Sequence, residues 1–154
     1  MKKVLSILIP IFSCFLVGLT ASYFQAESIN TWYPLLIKPT LTPPNIVFPV
    51  AWSIIYLFMG ISLGIILLTK SETKSYLVKI FIFQLFLNFS WSILFFYYKN
   101  PFLGFIDIIL LDVVVTWYTL KSYTVNKVSS ILFLPYLIWI YFATYLNGYI
   151  LLYN

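Results

Sequence analysis

A chain of 154 residues that is 62% hydrophobic, 21% aromatic and only 8% charged has too little polar surface to cover a water-soluble globule, since soluble domains carry roughly a quarter charged residues. Its net charge of +5 is nine scattered lysines set against four acidic residues, and the lysines form no nucleic-acid patch. With no histidine and a single cysteine, Cys14, the commonest metal ligand, the usual general base and an internal disulfide are all missing, and no cofactor is called for.

In chain order, five stretches reach the roughly 20 apolar residues that a membrane-spanning helix needs: Val4–Phe24, Pro44–Thr69, Tyr76–Tyr98, Phe102–Leu120 and Val128–Leu152. The class is therefore an all-α integral membrane protein, a single five-helix membrane domain over residues 1–154. The first run follows Met-Lys-Lys, as a signal peptide does. Its apolar core is too long for one and lacks a small-x-small cleavage site, so a retained helix is expected.

Between the first two runs lies "NTWYPLLIKPTLTPPNIVFPVAW", with five prolines and two tryptophans from Asn30 to Trp52. Proline fixes φ and offers no amide donor, so this link is neither helical throughout nor floppy. Pro43-Pro44 suits the opening of the second helix. An ordered link of this length suggests a lid, with interfacial belt aromatics as the plainer reading of Trp32 and Tyr33.

Three of the spans carry an aromatic stripe. Phe48, Trp52 and Tyr56 recur every fourth residue on the second helix, Gln84, Asn88, Trp91 and Phe95 share a face of the third, and Tyr136, Trp139, Ala143 and Asn147 share one of the fifth. Amide side chains in lipid prefer the bundle interior, which turns these stripes inward. Each ring alone is ordinary core packing. Three stripes beneath a rigid aromatic link suggest a pocket for a flat apolar ligand.

Other features are read singly. Gly60 and Gly64, in "GISLG", permit close helix approach, either inside one monomer or in a homodimer. Pro10, Pro49 and Pro135 are expected to kink their spans. Asp107 and Asp112 stand five residues apart, about 140° round a helix, so they form no carboxylate pair. Asp107 reads as structural, while a proton relay through Asp112 stays open. Lys38 is a candidate ion-pair partner for an acidic ligand, or else a solvated loop lysine. Lys2, Lys3, Lys70, Lys74, Lys79, Lys121 and Lys127 fall on one side and only Lys38 and Lys99 on the other, which predicts the N-terminus inside and the C-terminus outside, in a bacterial plasma membrane.

The segments "WYPLLIKPTLTPP", "FPVAW", "LNFSW", "FLGFID" and "PYLIWIYFATYLN" resemble the TspO/MBR family, the tryptophan-rich sensory proteins and mitochondrial translocator proteins, over nearly the whole chain. The resemblance implies a five-helix bundle capped by the first link. It also implies a membrane receptor or carrier for porphyrins of the protoporphyrin type and for benzodiazepine-type ligands.

Carried over by motif, ring contacts would come from Trp52, Trp91 and Trp139, with Asn88 as polar partner. Ala143 would leave room, Tyr33 and Pro44 would belong to the lid, and Phe48, Tyr56 and Leu146 complete the ligand-binding set. No catalytic residue is assured. For some bacterial members the family implies light-dependent porphyrin degradation, in which Trp52 and Trp139 would be redox partners. A small hydrophobic-cation transporter is a third reading, but it needs an acid in the pocket. The family's sterol motif is incomplete, because no Lys or Arg follows Tyr145, Tyr149 or Tyr153.

Overall fold

The computed structural model describes residues 2–154. Its elements are α1 (Lys2–Thr31), α2 (Val47–Leu68), α3 (Lys74–Ser92), α4 (Pro101–Val125) and α5 (Lys127–Tyr153), with a 3-10 turn at Tyr33–Leu35 and a wider π-type turn at Ile93–Tyr97 that extends α3. All five helices are long and apolar enough to cross a membrane. The protein is a five-span all-α membrane protein with a structured link between its first two helices.

The ends of the helices follow from local chemistry. Asn100 caps α4 by accepting the Leu103 N–H at 3.0 Å, with Pro101 in the first position where its missing donor costs nothing. Asn126 caps α5 through the Ser129 N–H at 3.1 Å. The link is shorter than the apolar runs suggest. Gln25, Ala26 and Glu27 are good helix formers and carry α1 past Phe24 to Thr31, until Pro34 restricts the residue before it. Helix α2 starts at Val47 and not at Pro44, whose carbonyl accepts the Val47 N–H at 2.9 Å in the turn ahead of the helix. Helix α4 likewise runs on from Leu120 to Val125. Pro49 thus falls in the first turn of α2 and breaks no hydrogen bond there, whereas Pro10 and Pro135 lie within α1 and α5.

The half of the bundle nearer the N-terminus is solidly packed. A Cβ on Gly60 would run into Ile11 Cα, and one on Gly64 would lie 2.8 Å from Ile7 Cα. The glycine pair therefore seats α1 directly on α2 within the monomer, and it is not a free dimer surface. Below this contact Met59, Ile66, Leu77, Phe81, Tyr118 and Phe133 are fully buried. Ser62 and Ser129 link α2 to α5 through an Oγ–Oγ contact of 2.8 Å. Further along, α1 and α2 separate: at Gly18 the nearest neighbour is the Tyr56 ring rather than α2 backbone. The space so opened is the site.

Candidate functional site: an aromatic cavity within the bundle

A cavity of about 460 Å³ lies between α1, α2, α3 and α5, under the link. Tyr33, Phe48, Trp52, Tyr56, Asn88, Trp91, Trp139, Ala143 and Leu146 line it, and among the described residues no charged side chain does. Helical spacing brings these groups together. Trp52 stacks on Tyr56 one turn away, with centroids 5.3 Å apart and planes at 25°. Trp91 stacks on Phe95 at 5.2 Å and 14°. Phe48 meets Trp139 edge-to-face at 5.8 Å, closing α2 against α5. Such pairs hold one another's rotamers.

Several polar groups of the wall are engaged in hydrogen bonds. Tyr56 donates to Asn88 Oδ1 at 3.1 Å, and Asn88 Nδ2 donates to the Tyr136 hydroxyl at 3.2 Å. The Trp91 indole donates to Asn147 Oδ1 at 3.1 Å, and Asn147 Nδ2 donates to the Pro101 carbonyl at 2.9 Å. Gln25 donates to Ser92 Oγ at 2.6 Å across α1 and α3. Buried polar atoms paired in this way are held in place and cost little. The wall therefore presents rings and paired amides rather than open charge.

Two residues of the link stand elsewhere than the sequence suggests. Pro44 is outside the cavity wall and serves the turn before α2. Of the pair Trp32 and Tyr33, only Tyr33 lines the cavity; Trp32 packs its ring on Phe95 at 5.5 Å from the far side. Lys38 does not reach toward the cavity. Its ammonium donates to the carbonyls of Tyr33 at 2.7 Å, Leu36 at 3.0 Å and Pro34 at 3.4 Å and lies over the Tyr33 ring. It staples the link. Desolvation there pushes the Lys38 ammonium below its usual range and the Tyr33 phenol above its own.

Neither membrane acid lines the cavity. Asp107 accepts from Ser90 Oγ at 2.7 Å, and Asp112 accepts from Thr144 Oγ1 at 2.8 Å. Each ties α4 to a neighbouring helix.

The wall contributed by α1 is the part that sequence reasoning missed. Gly18, Ala21, Ser22, Gln25 and Ile29 face the cavity. They recur at helical spacing, and the small members leave the space open. That stripe was readable, although it contains no ring to draw attention. On the outside of the same wall Leu19, Ser22, Asn45, Pro49 and Ser53 are exposed, so the cavity opens between α1 and α2.

A five-span helical membrane protein with an aromatic cavity beneath an ordered link, open between its first two helices, is the class that fold and site define. Residues 10–153 match the TspO/MBR family, and the chain belongs to that family. It is 42% identical to the tryptophan-rich protein TspO of Archaeoglobus fulgidus over 99% of both chains. It is 37% identical to the tryptophan-rich protein TspO of Chlorobaculum tepidum over 99% of this chain and 98% of the other. It is also 31% identical to the human translocator protein over 91% of this chain and 82% of that one.

Proposed function

We propose that the protein is a membrane receptor or carrier whose cavity takes a flat, mainly apolar ring system, a tetrapyrrole of the protoporphyrin type foremost and benzodiazepine-type compounds as further ligands. One observation carries this reading: three indoles, Trp52, Trp91 and Trp139, converge on a cavity with no charged residue in its wall. Ring faces of that kind attract π systems, and a wall without charge gives an ionic group no partner. The acidic side chains of a porphyrin would then lie at the mouth between α1 and α2, in reach of water and headgroups.

The family relationship supports the same reading, since relatives of this chain carry the names translocator protein and tryptophan-rich sensory protein. We infer also that the N-terminal end of the bundle faces inward, because seven of the nine lysines stand at that end.

The test is quenching of intrinsic tryptophan fluorescence by protoporphyrin, a sterol and a hydrophobic organic cation, titrated separately into the purified protein. Saturable quenching by protoporphyrin at the lowest concentration is expected. Preferential quenching by the cation or the sterol would contradict the proposal.

A further inference from the structure

On the lipid-facing side of the bundle, α3 and α4 are joined near the N-terminal end by a hydrogen bond from the Trp117 indole to the Tyr76 hydroxyl at 2.8 Å. Both rings are about half exposed. Two lysines flank this clasp, Lys79 three residues after Tyr76 and Lys121 four residues after Trp117. Helical side chains lean toward the N-terminus of their own helix, and α3 and α4 run in opposite directions. Lys79 and Lys121 therefore lean toward the clasp from opposite sides. Lys121 shows this directly, with its ammonium 5.0 Å from the centre of the Trp117 ring.

These two lysines differ from Lys74, which spends its charge on the carbonyls of Leu67 and Thr69 at 3.2 and 3.0 Å. Among the described residues neither Lys79 nor Lys121 has a hydrogen bond or an ion pair from its ammonium; the one salt bridge joins Lys99 to Glu27. The proton of the Tyr76 hydroxyl is equally free, because that oxygen acts as acceptor for Trp117. Toward the membrane centre the same surface continues through Phe83, Val113 and Leu110, all exposed. Lys79 lies a turn inside the apolar part of α3, where an unpaired ammonium against hydrocarbon is costly.

We propose that this surface of α3 and α4 binds an anionic phospholipid. The phosphate sits at the Tyr76–Trp117 clasp, receives the Tyr76 hydroxyl proton and the two ammonium groups, and leaves one acyl chain along Phe83 and Val113. The charge balance selects an anionic lipid, since the ammonium of a zwitterionic headgroup would compete with the lysines for the same phosphate.

The experiment is native mass spectrometry of the full chain released from mixed micelles of phosphatidylglycerol and phosphatidylcholine with identical acyl chains. Wild type should retain phosphatidylglycerol in preference. Lys79→Gln and Lys121→Gln should each lower that retention about fivefold, the effect of one lysine at a membrane surface. The exposed pair Lys70→Gln and Lys127→Gln, at the same end of the bundle, should leave it unchanged. Equal loss in this second pair would reduce the effect to diffuse charge and overturn the site, as would absence of any preference in wild type. Should the glutamine variants fail to fold, Tyr76→Phe keeps both charges and must still lower phosphatidylglycerol retention; no change there overturns the proposal too.

Discussion

The carboxamide of Asn154 pairs with both backbone polar groups of Ile37, accepting its N–H at 2.9 Å and donating to its carbonyl at 3.2 Å. A residue after the last turn of α5 thereby holds the link between α1 and α2. Helix α5 also carries Trp139, Ala143 and Leu146 of the cavity wall, so the roof and one wall of the site are tied together.

Asn154→Ala removes both exposed hydrogen bonds to the link, and a third to the Ile150 carbonyl within α5, a loss of about 1 kcal/mol. The roof should open more often, and bound protoporphyrin should leave about fivefold faster with the melting temperature nearly unchanged. Stopped-flow release measures this. An unchanged release rate would reduce the pair to an incidental contact.

Asn88 stands between the hydroxyls of Tyr56 and Tyr136, and all three residues are buried. Asn88→Leu leaves two buried hydroxyls without partners and should destabilise the bundle by about 2–4 kcal/mol. Adding Tyr56→Phe and Tyr136→Phe should restore most of the loss, because an apolar core without orphan groups is nearly neutral. Unfolding in a detergent titration distinguishes the two variants.

Gly60→Ala places a methyl group against the Ile11 backbone, where nothing flexible can yield. A loss of about 1–3 kcal/mol is expected from such overpacking. Normal stability combined with a changed oligomeric state, read by light scattering, would instead return the glycine pair to an interface between copies.

The inferred orientation is tested by labelling Ser71→Cys in a Cys14→Ala background with a membrane-impermeant thiol reagent. Ser71 should be protected in sealed cells and reactive after lysis. Labelling in intact cells would reverse the assigned topology.

Much of this site was legible before the fold was seen, for a physical reason. Phe48, Trp52 and Tyr56 repeat every fourth residue, and rings recur at helical spacing on the third and fifth helices, where Asn88 and Asn147 share the stripe and turn it away from lipid. The ends of the helices were less legible, because hydropathy marks where the chain leaves lipid and not where its backbone stops coiling. Helix α1 passes Phe24 into polar residues that are still good helix formers. The partners of Asp107 and Asp112 were hidden for another reason. Ser90 and Thr144 lie on other helices, and their meeting depends on the relative rotation of whole spans, which no local pattern encodes. For Lys38 the sequence leaves both a ligand's ion-pair partner and a solvated loop lysine open, and only the folded link reveals its three carbonyls.

The central claim is that a flat guest fills the space between the indoles, and Trp139 and Ala143 test it most directly. Protoporphyrin affinity should be measured for wild type, Trp139→Leu and Ala143→Phe alongside their melting curves. Trp139→Leu should weaken binding by about 1–3 kcal/mol, the loss of one aromatic face against a π ligand. Ala143→Phe should all but abolish binding by filling the cavity, while the fold persists. Wild-type affinity in both variants, with the bundle intact, would contradict the account and return these residues to the packing of the core.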